Sequence, residues 1–219
     1  MTLTLLNLYN SAASQEWSMY DSGAASTDDF EESLVIAINK AVTEILYSYP
    51  FNFRQRTHII LALPRINSYD LPTGLISVEN SENCFVKCNL NNLRFIKNPS
   101  LLDEKFGVPE GFYIKGDKIV FYPTPSEKTM IVVDYTTLAI GENASGDEIF
   151  SLKNHTDKVL VPEYLEELFK QAVISRTMLN TISAESDENY SAYKRQSEVA
   201  YRLLIKYSKG VGLEKSVKM

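Results

Sequence analysis

Apolar residues recur at steps of three or four in two separated stretches of this 219-residue chain, and between those stretches they alternate. Phe30, Leu34, Ile38, Ala41, Ile45 and Tyr49 share one helical face, widened by Val35, Val42 and Leu46. Leu165, Leu168, Phe169, Ala172, Val173, Arg176 and Leu179 repeat the pattern, and Tyr190, Tyr193, Ala200, Leu204 and Tyr207 lie close to one line. Residues 57–140 instead carry short β-branched and aromatic runs punctuated by Asn, Ser, Gly and Pro. A helical stripe must be buried against another element. The spacing therefore predicts an α+β chain: a helical bundle made from both chain ends, with a small antiparallel β-sandwich or barrel inserted between them.

Local signals set the boundaries. A helix over 28–49 opens on Asp28 with Glu31 three residues later, a capping-box variant, and stops before Pro50. Pro162 suits the first turn of a second helix. A third runs from Asp187 to Ser208, with Lys206 and Lys209 at its negative end and Gly210 placed to terminate it. Thr57–Leu63, Leu75–Val78, Cys84–Cys88, Leu93–Ile96 and Met130–Thr137 read as strands. Lys115-Gly116-Asp117-Lys118 joins two strong β arms as a tight hairpin. Residues 141–158 read as a polar loop. The expected organisation is an extended arm over 1–27, a bundle over 28–54 and 159–208, a β domain over 55–158 and a tail over 209–219. Residues 1–27 lack a helical period, and within them Thr2-Leu3-Thr4-Leu5 alternates and could add to a neighbour's sheet edge.

Composition narrows the function classes. The net charge of −6 disfavours non-specific attraction to nucleic acid or anionic lipid. No apolar run approaches the roughly 20 residues that span a bilayer. The first six residues lack the basic segment and cleavage site of a secretory signal. Catalytic material is scarce, with two Cys and two His. Cys84 and Cys88, four apart on a strand, lie about 13 Å apart, too far for a disulfide, and have no second pair for zinc. His58 and His155 belong to no catalytic motif. Asp28, Asp29, Glu31 and Glu32, and again Glu163, Glu166 and Glu167, fall in first turns of helices, where electrostatics alone favours them. Gly107, Gly111 and Gly116 form no phosphate-cradling loop. No catalytic, cofactor-binding or metal-ligating residue is expected, and the chain is not expected to be an enzyme.

The order of features matches a known pattern. Ala37-Ile38-Asn39-Lys40-Ala41 leads to Tyr49-Pro50-Phe51-Asn52-Phe53. Tyr69-Asp70-Leu71-Pro72 follows, then the run from Phe112 through Gly116-Asp117 to Pro123-Thr124-Pro125. Val133-Asp134-Tyr135 and Leu160-Val161-Pro162-Glu163-Tyr164 complete it. Across residues 28–208 this resembles the head-to-tail adaptor proteins of short-tailed bacteriophages, also called tail tubular protein A or tail accessory factor. The resemblance implies a virion neck or tail protein, assembled in the host cytoplasm as a homo-oligomeric ring of about twelve copies. The ring would lie below the portal protein, pass DNA through its lumen without specific binding, and carry downstream tail or ring proteins. It involves no membrane and no cofactor. By the same resemblance the basic tail faces the portal, making Lys209, Lys215 and Lys218 portal-docking candidates. The long segment before Asp28 and the short β loops depart from the pattern. They leave open the first ring under the portal or a later ring in a stack, as in crAss-like phages.

Thirteen Tyr and ten Phe against one Trp suit interfaces, since Tyr tolerates a half-wet environment. Tyr190, Tyr193, Tyr201 and Tyr207 exceed what a three-helix core needs and are the subunit-interface candidates. Two other classes remain open on the residues alone: a hydrolase with carboxylates on the β module, and a carbohydrate-binding tail module with aromatics on one β face.

Overall fold

The structure, a computed structural model, describes residues 2–17, 27–72, 74–75, 85–181 and 188–209. It is mixed α+β. In chain order come α1 (Leu5–Trp17) and α2 (Thr27–Tyr47). Then follow β1 (Gln55–Ala62), β2 (Ser68–Asp70), β3 (Phe85–Cys88), β4 (Asn91–Asn92) and β5 (Arg94–Phe95). Next are β6 (Phe106–Gly107), β7 (Gly111–Lys115), β8 (Lys118–Tyr122), β9 (Thr124–Pro125) and β10 (Thr129–Thr136). Three short strands, β11 (Gly141–Glu142), β12 (Glu148–Ile149) and β13 (Lys158–Val159), precede α3 (Glu166–Thr181) and α4 (Glu188–Ser208). The chain divides into two units, Met1–Phe53 with Ala139–Met219, and Arg54–Leu138.

In the first unit, Leu34, Ile38, Ala41, Val42, Ile45 and Leu46 of α2 are buried with Phe169, Ala172 and Val173 of α3 and Leu204 of α4, while Leu168 is partly buried. These are the stripes read from the sequence. α2 closes at Tyr47, where Ser48 Oγ donates to the Ile45 carbonyl at 2.7 Å. Tyr49, Phe51 and Phe53 then pack ring on ring, 5.1 and 5.0 Å between centroids. Pro162 sits just outside its helix, capping the 3₁₀ turn Glu163–Leu165 that runs into α3.

The expected arm is corrected over residues 2–17. They form α1, with Leu3, Leu5, Leu8 and Ala12 buried in the core of the helical unit. Thr4 is the N-cap: its backbone N–H and hydroxyl both donate to Asn7 Oδ1, at 3.0 and 2.8 Å, and Asn7 N–H points back to Thr4 Oγ1. That is a capping box with Asn in the Glu position. The alternating Thr2–Leu5 segment does find a strand edge, but one in its own unit: Thr4 bridges Lys158, and Val159 N–H donates to the Leu3 carbonyl at 3.0 Å. Residues 18–26 lie outside the described residues.

The expected loop over 141–158 is corrected too. It holds β11, β12 and β13, and Ile140, Leu152 and Val159 are buried with the helices. Asn39 of α2 clips it in place. Its Oδ1 accepts the Leu152 N–H at 2.7 Å, and its Nδ2 donates to the Leu152 carbonyl at 2.9 Å. A Cβ at position 141 would collide with the Lys158 carbonyl, so only Gly lets β11 approach β13. The inserted unit therefore closes at Leu138 rather than at 158.

The second unit has a four-stranded antiparallel sheet in the order β1-β10-β3-β4 and a second sheet ordered β2-β8-β7-β5. Their inner residues, including Ile60, Val86, Phe112, Ile119, Phe121, Ile131 and Val133, form one apolar cluster. The β7–β8 hairpin turns at Gly116-Asp117, as the sequence predicts. Gly116 has φ +65°, the positive value that the first position of such a turn demands. Antiparallel pairing is not universal: β5 runs parallel to β7, and β6 parallel to β9. Among the described residues no sheet closes into a barrel. Of the expected strand Leu75–Val78, residues 76–78 lie outside the described residues, as does Cys84.

Candidate functional site

The strongest candidate surface is the outer face of the first β sheet. Because side chains alternate along a strand, the register decides which residues share that face. Ile59 lies opposite Val132, Leu61 opposite Met130, and Thr57 opposite Asp134, which is flanked on its far side by Phe85. The inner residues Ile60, Ala62, Ile131, Val133 and Val86 are buried. The outer ones are not: Ile59 is 60% exposed, Met130 54%, and Leu61 and Phe85 50% each. Four large apolar side chains on adjoining strands form a patch of the kind that marks an interaction surface.

A polar row borders the patch. Asp134 Oδ1 accepts the Thr57 hydroxyl at 2.7 Å, and Oδ2 accepts Lys87 Nζ at 2.9 Å. The hydrogen bond from Lys87, then that from Thr57, holds the Asp134 carboxyl below the usual carboxylate range against the cost of partial burial. The β3–β4 turn adds another apolar point. Asn89 and Leu90 both have positive φ, and Leu90 is 95% exposed. A leucine held in the left-handed region with no burial to offset the strain is unusual.

The helical unit distributes the four interface candidates unevenly. Tyr193 and Tyr201 are half-buried and pack against the core of their own unit. Tyr190 is half-buried with Lys194 Nζ 6.0 Å from its ring centroid, and Tyr207 is exposed with Lys206 Nζ at 5.9 Å. Lys209 is exposed and lies 5.3 Å over the Tyr49 ring. Lys215 and Lys218 lie outside the described residues. A cleft of about 690 Å³ opens between α1, α3 and α4, lined by Ser11, Gln15, Lys170, Gln171, Arg195 and Gln196 among others. Its lining mixes these polar groups with Ile174, Val199, Ala200 and Leu203, and among the described residues Glu167 is its one carboxylate.

Of the residues weighed for catalysis, His155 and Glu166 hold parts of the fold together. His155 lends its carbonyl to Leu6 N–H at 3.3 Å and its ring packs edge-on to Tyr9. His58 is half-buried on β1. Asp157 is buried and accepts the N–H groups of Lys153 and Asn154 at 2.7 and 2.8 Å. Burial pushes its carboxyl up, but those N–H groups outweigh it and the net shift is downward. Glu166 Oε1 accepts the Leu3 N–H at 3.0 Å. Glu31 and Glu32 are exposed, while the side chains of Asp28 and Asp29 lie outside the described residues. Cys88 is buried, and burial pushes its thiol up, away from the reactive thiolate. Among the described residues no group of three His, Cys, Asp or Glu is arranged to hold a metal ion, and no helix is long and apolar enough to cross a membrane.

The sequence reading placed Ile59 and Leu61 on a strand, Thr57–Leu63, but on neither face of it. Their alternation with Ile60 and Ala62 says only that two faces exist, and both are apolar here. In comparisons of sequence the chain matches no protein-family model and no curated protein.

Proposed function

We propose that this chain is a structural virion protein, one subunit of an oligomeric head-to-tail connector ring of about twelve copies below the portal. In this reading the helices from both chain ends form the ring's bundle and the inserted β unit is a small sandwich presented to neighbours. The ring gives DNA a passage and tail proteins a platform. The observation that carries the proposal is the open apolar face of β1, β10 and β3 on the isolated subunit, taken with the order of motifs that resembles the adaptors. A closed ring needs two different complementary faces on each copy. The sheet face supplies one, and Tyr190 and Tyr207 on α4 offer candidates for another. A net charge of −6 per copy suits a lumen that must let DNA slide past.

The test is the mass of the particle in solution. Sedimentation and native mass spectrometry of the 24.8 kDa chain, alone and with portal rings, should find a closed assembly of about 300 kDa. A chain that stays monomeric at high concentration and beside the portal defeats the proposal.

A further inference from the structure

Among the described residues β1 leaves a long hydrogen-bonding edge open. It ends its sheet: β10 pairs with one side, and among the described residues no strand pairs with the other. Thr137 N–H donates to the Arg54 carbonyl at 2.9 Å, one step before β1 begins. Antiparallel ladders alternate, so the even-numbered residues of β1 turn their backbone groups toward β10. Gln55, Thr57, Ile59 and Leu61 turn theirs outward, where the Gln55 carbonyl accepts Arg56 Nη1 at 3.1 Å. Ile59 and Leu61 also carry half of the exposed apolar patch. Folded proteins normally blunt such an edge, and an eight-residue edge backed by apolar side chains is a template for an added strand.

The sequence contains a segment that fits it. Residues 210–219, outside the described part, read GVGLEKSVKM. Val211, Leu213, Val217 and Met219 alternate with Gly212, Glu214, Ser216 and Lys218, and Lys215 is the single polar residue in the apolar register. We propose that segment 210–219 of a neighbouring copy adds to β1 as an antiparallel edge strand, with Lys215 opposite Thr57. This pairing sets Leu213 beside Ile59 and Val211 beside Leu61, covering the patch. Lys215 reaches the Thr57–Asp134 row, the carboxylate position on that face. On the other face Glu214 comes opposite His58 and next to Arg56, and Gly212 opposite Ile60. Sliding the tail by two residues places Lys215 against Ile59 or Leu213 against the carboxylate row. Sliding it by one puts Glu214 and Lys218 on the apolar face. The inference deepens the ring reading and rests on it for the presence of a neighbour. It moves Lys215 and Lys218 from the portal to the adjacent subunit, leaving Lys209 as the portal-docking candidate.

Full-length chains carrying single cysteines test it. Gln55 and Val217 become directly opposed, with Cα atoms about 5.5 Å apart, inside the disulfide range. Mixed Gln55→Cys and Val217→Cys chains, mildly oxidised, should yield a two-chain species whose 55–217 linkage is identified by mass spectrometry. Gln55→Cys with Leu213→Cys, about 13 Å out of register, should yield several-fold less. Equal yields from both pairs overturn the proposal. So does a chain carrying both Gln55→Cys and Val217→Cys that links only within itself. Sedimentation of the unsubstituted chain separates the two readings: a large particle without the 55–217 link removes the strand addition and spares the ring. The link in a chain that never reaches ring size keeps the strand addition and removes the ring.

Discussion

The helical unit and the β unit deal differently with the same problem of apolar surface. Ten large hydrophobic side chains stay exposed in the β unit and seven in the helical unit, among the described residues, although the β unit is the smaller of the two. In the helical unit α1 and the β11–β13 segment add their own apolar residues to the stripes of α2, α3 and α4. In the β unit the two larger sheets bury their inner faces, and among the described residues the outer face of β1, β10 and β3 has no such cover. A face that costs solubility and is left open marks where a partner is expected.

The largest effect should come from breaking the closed side. Leu8→Ala removes a fully buried side chain from α1 and should destabilise the chain by about 2–5 kcal/mol in denaturant unfolding. A loss under about 0.5 kcal/mol, the range of surface substitutions, would return α1 to the status of a dispensable arm. Asn39→Ala should cost less, about 1–3 kcal/mol, since it leaves the backbone groups of Leu152 without their partner. Amide exchange should quicken first in residues 140–159; uniform quickening over all helices would mean that Asn39 is not a local clip.

The open side should respond in assembly rather than in folding. Tyr207→Ala, at an exposed position, should leave unfolding unchanged and weaken assembly by about 1–3 kcal/mol if the contact is a hot spot. Tyr201→Ala, packed on the core, should lower stability itself. The comparison fails if circular dichroism and sedimentation show the reverse order. The smallest effect is that of Asp134. Its folded carboxyl is depressed by Lys87 and Thr57, so its contribution is present above the usual carboxylate range and lost as pH falls through the lower folded value. The pair with Lys87 is about one-third exposed, which limits the effect to about 0–1 kcal/mol. Unfolding of Asp134→Asn followed from pH 7 to 3 should converge on the parent at the acid end, and a constant offset would assign the loss to packing.

Much of the fold was legible because its periods are long. Five apolar positions over about four turns of α2, and the two arms of the Gly116-Asp117 hairpin, declare themselves without a partner. α1 did not. Leu5, Leu8 and Ala12 make a short stripe among Asn and Ser, a weak signal until α2 and α3 supply the surface that buries it. Thr4 and Asn7 did hold a capping signal, in the less common Asn form. Of the candidate site, the tyrosines of α4 could be named from spacing, but not sorted into Tyr193 and Tyr201 against the core and Tyr190 and Tyr207 outside it.

Local chemistry was enough to place helix starts and stops and the hairpin turn, because caps, prolines and a positive-φ glycine act within a few residues. Nothing local says which of two apolar strand faces meets the core. Ile59 and Ile60 differ by one position and have the same side chain, yet one is exposed and the other buried. That choice arises when β1 takes its register on β10 and the sheet settles on the apolar cluster around Phe121 and Ile131. A one-residue slip would exchange the two faces, so the patch belongs to the register and packing rather than to the run of residues that bears it.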